Sequence, residues 1–194
     1  MKTSRKKDHP AIDLIVNRHS PRAMSGEKLA KEELNTLFEA ARWAPSSYNG
    51  QPWRLIYSER DDEYWEKFME LLVEKNRSWA VNAGALIIVC SRKNFEHNGK
   101  FSRTHSFDAG SAWENLALQA SSMNIVSHAM AGFDYNKAAE TAGIPEDYSV
   151  EAMIAVGKPG DPENLPEDLR GAEKPSDRKA VSEISFKGKF PEFS

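Results

Sequence analysis

The sequence predicts a protein of mixed α and β structure, and two kinds of apolar pattern carry that prediction. Two stripes recur at the spacing of one helix face, at Leu34, Leu37, Phe38 and Ala41 and at Trp113, Leu116, Ala117 and Ala120. The continuous apolar run 84–91 is typical of a strand buried on both faces. A second short run, 53–57, also reads as a strand.

Length and composition narrow the class of protein. A chain of 194 residues is long enough for one sizeable core, so we expect a single domain, 1–194. The formal net charge of −3 gives no indication of a nucleic-acid partner. No segment has the length of a membrane span or of a signal peptide, which predicts a cytoplasmic protein with no membrane partner. Cys90, in an apolar run, is expected to be a buried small hydrophobe.

The first helix is predicted to start near Pro10 and to end near Asn17. The segment that follows, 18–22, brings two guanidinium groups, a hydroxyl and an imidazole together at the mouth of a loop: Arg18, His19, Ser20 and Arg22. Arginine can hold two phosphate oxygens at once in its planar fork, so this pattern is compatible with a phosphate site. Judged on these residues alone, a solvated surface segment is the simpler interpretation.

The polar loop 45–51 joins the helix that ends near Ala41 to the strand that begins at Trp53. Pro45 and Pro52 restrict the backbone at both ends. The hydrogen-bonding side chains between them are Ser46, Ser47, Asn49 and Gln51. Such a stiffened polar loop can bind a ligand, or it can be a connection whose Ser and Asn side chains bond their own backbone.

The middle of the chain adds a helix capped by Asp61 and Asp62 and a long polar loop, 92–105, that could lie over a site. His97 and His105 have no third ligand at a zinc-like spacing, so we predict no metal. The next helix is predicted to open at Asp108.

In the later part of the chain, small residues surround Gly132, which predicts either a close backbone approach to a flat ligand or a turn before a helix capped by Asp134. The segment 151–157 reads as a strand. After the basic pair Arg178 and Lys179, the alternating run 181–186 predicts a final strand.

The loop sequence Ala-Pro-Ser-Ser-Tyr-Asn-Gly-Gln-Pro-Trp, 44–53, resembles the signature loop of the nitroreductase family of FMN-dependent oxidoreductases. Three further segments resemble that family in order and separation, so the resemblance extends over 18–179. His19 stands where the family more commonly has Arg, and Asn124 stands near the family's usual Gly-x-Gly, which predicts a left-handed backbone at Asn124. The resemblance implies these FMN contacts: Arg18, His19, Ser20, Arg22, Pro45, Ser46, Ser47, Asn49, Gln51, Met130, Ala131, Gly132, Arg178 and Lys179.

The resemblance also implies the fold and the assembly. We expect an α+β, nitroreductase-like fold with a mainly antiparallel sheet of four or five strands wrapped by helices, in a homodimer with shared flavin sites. The Gly-x-Gly-x-x-Gly pattern of a dinucleotide-binding Rossmann fold does not follow a strand here, which disfavours that fold.

The predicted function is that of an FMN-dependent oxidoreductase, passing electrons from NAD(P)H to a nitroaromatic, quinone or similar acceptor in a ping-pong mechanism. Because the flavin carries the hydride chemistry, no catalytic side chain is expected. Tyr48, Trp53 and Phe101 are candidate aromatic walls of the substrate pocket, and core or dimer packing would explain each equally well. Two alternatives are a narrower reduction or dehydrogenation on the same fold, and flavin binding with little turnover.

Overall fold

The computed structural model describes residues 5–191 and places helices on both faces of an antiparallel sheet. The helices are α1 (Asp13–Asn17), α2 (Lys31–Arg42), α3 (Trp65–Met69), α4 (Glu74–Ala80), α5 (His105–Ser122), α6 (Tyr135–Thr141) and α7 (Glu167–Arg170). The strands are β1 (Trp53–Glu59), β2 (Ala85–Arg92), β3 (Val126–Met130) and β4 (Tyr148–Gly157). Single turns of 3-10 helix occur at Ser47–Asn49, Pro162–Asn164 and Val181–Glu183.

Within residues 5–191 the sheet has four strands in the order β1-β2-β4-β3, and each neighbouring pair is antiparallel. β2 lies in the interior of the sheet and is buried from Ala85 to Ser91, as its apolar sequence predicts. Cys90 is buried in this strand, and burial raises the pKa of its thiol to about 11. The prediction of Cys90 as a buried hydrophobe is therefore confirmed.

The two faces of β2 contribute to two separate apolar clusters. Leu86 and Ile88 pack with the large side chains of α3 and α4. Ile87 and Val89 pack on the other face with the apolar stripes of α2 and α5. Because neighbouring side chains of a strand point to opposite faces, one continuous apolar run supplies both clusters. This packing fixes α5 against the sheet, and α5 positions the residues described below.

Several predicted turns are confirmed. Asn124 has a left-handed backbone, with φ of +55°. The Asp134 side chain accepts a hydrogen bond from the Lys137 N–H (2.9 Å), so it caps α6. Asp62 accepts from the backbone N–H of Tyr64 (2.8 Å), but the helix that follows it, α3, ends at Met69 and does not reach Leu71 and Leu72 of the predicted apolar face.

Two other predictions need correction. α5 begins at His105 rather than at Asp108. The segment predicted as a final strand forms a 3-10 turn, Val181–Glu183, in which the Glu183 carboxylate accepts from the Ala180 N–H (2.8 Å). An alternating apolar pattern forms a strand only where a neighbouring strand is available for pairing. In this segment the hydrogen bond between Glu183 and Ala180 closes a turn instead.

No helix in the part of the chain from 5 to 191 combines the length and the apolar character needed to cross a membrane.

Candidate functional site

The predicted phosphate-binding segment, 18–22, follows the end of α1 and lies against α5. Arg18 donates through Nη1 to Ser20 Oγ (3.2 Å), and its Nε lies 3.5 Å from Oε1 of Glu114 on α5. That Nε is buried and has no hydrogen-bond partner among the described residues. A buried guanidinium nitrogen without a hydrogen bond is well suited to an anionic ligand.

Arg18 opens onto a cleft of about 720 Å³ formed by residues from both ends of the described chain. Six cationic side chains line it: Arg5, Lys6, Lys7, Arg18, Arg178 and Lys179. Three acidic side chains also line it: Asp8, Glu114 and Asp177. We call this the basic cleft, because its lining carries a net positive charge. The structure thus brings Arg18 together with Arg178 and Lys179, as the phosphate assignment requires.

Two members of the phosphate-binding segment have other surroundings. His19 places its Nδ1 3.3 Å from the carbonyl oxygen of Asn17, at the end of α1. Arg22 uses its backbone N–H to donate to Oε1 of Glu173 (2.7 Å). Neither side chain lines the basic cleft.

His128 on β3 holds the phosphate-binding segment, 18–22, against the sheet. The sequence did not predict this contact. Its Nδ1 lies 2.7 Å from the carbonyl oxygen of Ser20 and 3.1 Å from that of Pro21, so this nitrogen carries the hydrogen. The ring packs on Trp79, with centroids 4.8 Å apart. Burial lowers the pKa of His128, and the positive charge of Arg22 lowers it further. Neutral imidazole is therefore the favoured form.

β3 connects this contact to the turn at 130–132. Since an extended strand advances about 3.3 Å per residue, Met130 at the end of β3 lies about 7 Å along the chain from His128, and Gly132 follows two residues later. Met130 pairs with Met153 of β4 and is buried, so it can offer a ligand its main chain but little of its side chain. Ala131 is exposed.

Gly132 lies very close to the start of α4. Its carbonyl oxygen accepts from the Val73 N–H (3.1 Å) and from Nδ2 of Asn76 (2.9 Å). A Cβ on Gly132 would lie 2.7 Å from Nδ2 of Asn76 and 3.0 Å from Cγ2 of Val73. A side chain at this position would force Asn76 to move, so the packing favours glycine independently of any ligand.

The signature loop, 45–51, folds back on itself with an unusual backbone. Ser46 Oγ accepts from the Gln51 N–H (3.0 Å), and the Ser46 carbonyl accepts from the Asn49 N–H (3.0 Å). Tyr48, Asn49 and Gln51 have φ of +51°, +52° and +43°. Such left-handed conformations in residues other than glycine are unfavourable and cluster at functional sites.

The signature loop is attached to α5 by a buried carboxylate. Asp108 Oδ2 accepts from the Ser47 N–H (3.1 Å) and from Oγ1 of Thr104 (3.2 Å). The side chains of Asn49 and Gln51 remain exposed. The loop does not line the basic cleft, so one chain keeps these two sets of predicted FMN contacts apart.

A buried polar cluster lies beside the start of α5. Ser91 Oγ lies 2.6 Å from His105 Nδ1 and also bonds to Glu151, while Ser106 Oγ donates to Oε1 of Glu151 (2.8 Å). Ser91 is completely buried, and its hydroxyl links the imidazole to the carboxylate. In a hydrolytic triad the imidazole is the central group, so this cluster has the wrong order for nucleophilic catalysis.

Comparison with known proteins places these features in a family. The nitroreductase family model matches residues 15–158. The chain belongs to the nitroreductase family. A protein of Archaeoglobus fulgidus, provisionally named NADH dehydrogenase/NAD(P)H nitroreductase, is 29% identical over 154 residues, which is 77% of this chain and 86% of that protein. The oxygen-insensitive NADPH nitroreductase of Helicobacter acinonychis is 33% identical over 84 residues, 43% of this chain and 39% of that enzyme.

A solved crystal structure of the nitroreductase fold, described as that of an oxidoreductase containing FMN, has a TM-score of 0.93 to this chain at 42% identity. The alignment covers 98% of this chain and 99% of that chain. The predicted family and α+β fold class are therefore confirmed, as is the assignment to FMN-dependent oxidoreductases.

The residues of this nitroreductase-family chain fit the phosphate of FMN. The basic cleft is positively charged, and the buried Arg18 Nε has no hydrogen-bond acceptor among residues 5–191. Arg178, which also lines the cleft, is exposed, and its Nη1 donates to Ser176 Oγ (3.1 Å). Arg18, Ser20 and Arg178 together offer the charge-assisted donors that a phosphate group takes.

The three aromatic residues predicted as pocket walls have different environments. Trp53 is only 7% exposed and packs in the core between the sheet and α2 and α5, so its assignment as a pocket wall is corrected. Tyr48 is 83% exposed and meets the Phe95 ring edge-on at 5.6 Å. Phe101 is exposed and lies edge-on to His105 at 5.7 Å. Tyr48 and Phe101 are therefore the two that a ligand could reach.

Proposed function

We propose that this enzyme takes electrons from NAD(P)H and passes them, through its FMN, to a nitroaromatic, a quinone or a similar acceptor in a ping-pong order. One observation carries the proposal: the basic cleft around Arg18 is linked through Ser20 and His128 to the strand that leads to Gly132. This arrangement supports an elongated ligand with an anionic end and a flat end.

Each part of the proposed site has its own task. Arg18 and Arg178 give the phosphate hydrogen bonds from charged donors, and the Ser20 hydroxyl adds one from an uncharged donor. His128 keeps the segment that carries Arg18 in place. The main chain at 130–132 orients the ring. Bound FMN supplies hydride acceptance and electron donation, which explains why no side chain is assigned a catalytic step.

We further propose a homodimer in which the signature loop of one subunit completes the basic cleft of the other. The loop and the cleft are apart within one chain, and Tyr48 extends 83% exposed from the loop. Large apolar side chains are also exposed on α1 and at the start of α5, including Ile15 (51%) and Phe107 (77%). Exposed apolar surface of this kind is typical of an interface between protein chains.

The first test is the flavin absorbance of the purified protein, recorded before and after adding NADH or NADPH without oxygen. We expect flavin bands that bleach, and that return when a quinone or a nitroaromatic compound is added. Steady-state rates at several acceptor concentrations should give parallel double-reciprocal lines. Bands that persist would favour flavin binding without turnover, and intersecting lines would contradict the ping-pong order.

A matched pair of variants tests the phosphate assignment. Arg18→Met should weaken FMN binding about ten- to a hundredfold, since it removes a charge-assisted contact of about 1.5 to 3 kcal/mol. Arg42→Met is the control, because Arg42 pairs with Glu39 on α2, stacks over Trp43 and does not line the basic cleft. Equal FMN affinity in both variants would exclude Arg18 from the site.

A further inference from the structure

Arg5 precedes α1 in the sequence, and its side chain contacts the C-terminal end of that helix. Its Nη1 donates to the carbonyl oxygens of Val16 and Arg18, each at 2.8 Å. Carbonyl groups at a helix C-terminus lack partners within the helix and carry its partial negative charge, so a guanidinium group stabilises them. Through the Arg18 carbonyl, Arg5 also fixes the backbone from which the Arg18 side chain extends.

Arg5 lines the basic cleft together with Arg18 and Arg178. Burial lowers the pKa of Arg5, and the positive charges of Arg178 and Arg18 lower it further, while Asp177 acts in the opposite direction. Arg5 is half-buried, and it lies close enough to Arg18 and to Arg178 for their charges to act on it. Neighbouring acids offset this only in part.

Two of the acidic side chains that line the basic cleft already have partners within the protein. The Glu114 carboxylate lies 3.5 Å from Arg18 Nε. The Asp8 carboxylate accepts from the Val181 N–H (2.9 Å). A dianion beside Arg5, Arg18 and Arg178 would offset their charges better than the single Glu114 carboxylate beside Arg18, because attraction between opposite charges is stronger where water is partly excluded.

We propose that Arg5 binds the phosphate dianion of the cofactor together with Arg18 and Arg178. This proposal rests on the proposed function for the identity of the phosphate, which is that of FMN. The chemistry it names, a phosphate monoester dianion, is also present in NADPH and in inorganic phosphate. The experiment therefore has to separate these sources.

The comparison of FMN with riboflavin isolates the phosphate, because riboflavin has the same ring and side chain without it. In the chain of residues 1–194 freed of flavin, Arg5→Met should raise the dissociation constant of FMN about ten- to a hundredfold. The dissociation constant of riboflavin should change by less than about twofold. Quenching of flavin fluorescence measures both.

Two further variants separate contact from net charge and from folding. Lys6→Met removes a positive charge from the same cleft at an exposed position, so it should change FMN affinity by only about two- to threefold. Arg5→Lys keeps the charge but loses the planar fork, so its FMN affinity should lie between those of the wild type and Arg5→Met. If Arg5→Met is unstable, Arg5→Lys still gives the comparison of FMN with riboflavin.

Equal losses of FMN and riboflavin affinity would overturn the proposal, since Arg5 would then act only on the fold. Unchanged FMN affinity would overturn it as well. A change confined to the KM for NADPH, with the KM for NADH and the FMN affinity unaltered, would place the contact on the donor and reject it for the cofactor.

Binding of inorganic phosphate tests the contact between Arg5 and an anion independently of the proposed function. Millimolar phosphate should raise the midpoint of thermal unfolding of the flavin-free wild type and should do so less in Arg5→Met. If the wild type bound neither flavin, the proposed function would be wrong, whereas a phosphate effect that depends on Arg5 would still support the anion contact. Equal phosphate stabilisation of both proteins would contradict that contact.

Discussion

The backbone N–H of Ser47 donates to the buried carboxylate of Asp108 across 3.1 Å, and this bond holds the signature loop to the first turns of α5. Asp108 is 4% exposed, so water competes little for the bond. The turn that begins at Ser47 contains Tyr48 and Asn49 in left-handed conformations, each of which costs about 1–2 kcal/mol. A contact with the rigid core of the protein is therefore needed to keep the loop in this form.

Replacing Asp108 should loosen the signature loop and weaken flavin binding. We expect Asp108→Ala to raise the dissociation constants of FMN and riboflavin by a similar factor, because the loop is separate from the phosphate contacts. The factor should be about tenfold, since a buried N–H loses its acceptor at a cost of about 1–3 kcal/mol. Asp108→Asn keeps an acceptor and should lose less. Asp168→Ala, on the surface of α7, is the control. Normal flavin affinity in a folded Asp108→Ala protein would show that the loop holds its shape unaided.

Because the backbone at Tyr48 is left-handed, a glycine at this position should give a more stable protein than an alanine, which is the reverse of the usual order of stability. We expect Tyr48→Gly to be more stable than Tyr48→Ala by about 1 kcal/mol, because glycine adopts positive φ without a steric penalty. At Val81, where φ is −54°, alanine should be the more stable of the same two substitutions. Urea unfolding measures all four variants. The same order at both positions would show that Tyr48 is not strained.

Acid should destabilise the contact between His128 and the phosphate-binding segment. Burial and Arg22 lower the pKa of His128 in the folded protein. Below about pH 6.5 the unfolded chain binds a proton on this residue that the folded chain resists, so stability present at higher pH is lost as the pH falls. The drop in thermal midpoint from about pH 7.5 to about pH 5.5 should be smaller in His128→Asn than in the wild type.

The control for His128 is His97→Asn, because His97 is exposed on a loop. It should leave the pH dependence of the midpoint as in the wild type. If His97→Asn and His128→Asn gave the same curve, burial of His128 would not be the source of the acid sensitivity.

A side chain at Gly132 should disturb α4. Gly132→Ala would place its Cβ 2.7 Å from Nδ2 of Asn76, and we expect a loss of about 1–3 kcal/mol in the free energy of unfolding. In an Asn76→Ala background the same change should cost clearly less, which a double-mutant cycle measures. Gly110→Ala is the control, since nothing lies within 4 Å of its added Cβ on α5 and it should be neutral or stabilising. Additive costs would mean that Asn76 is not the obstacle.

The elements that carry their own periodicity could be predicted from the sequence. Leu34, Leu37 and Ala41 are buried on one face of α2, because a stripe at helical spacing can be buried only on one side. The run 84–91 became the interior strand β2 for the same kind of reason, because its consecutive apolar residues 85–90 can be buried on both faces of a sheet.

Contacts between distant segments could not be predicted in this way. His128 binds the Ser20 carbonyl across 108 positions of sequence, and nothing local to either residue specifies the pairing. Arg5 likewise has no motif around it, and only the fold places it beside Arg18. The resemblance to a known family supplied Arg18 and Arg178, whereas the residues that hold them in place became visible only in three dimensions.

The link between Asp8 and Val181 joins positions 173 apart, which sets an order of events during protein synthesis. At roughly 5–20 residues per second, the ribosome delivers the sheet and α5 seconds before Arg178 emerges. The core can therefore collapse on the nascent chain while the anion-binding arginines are still incomplete.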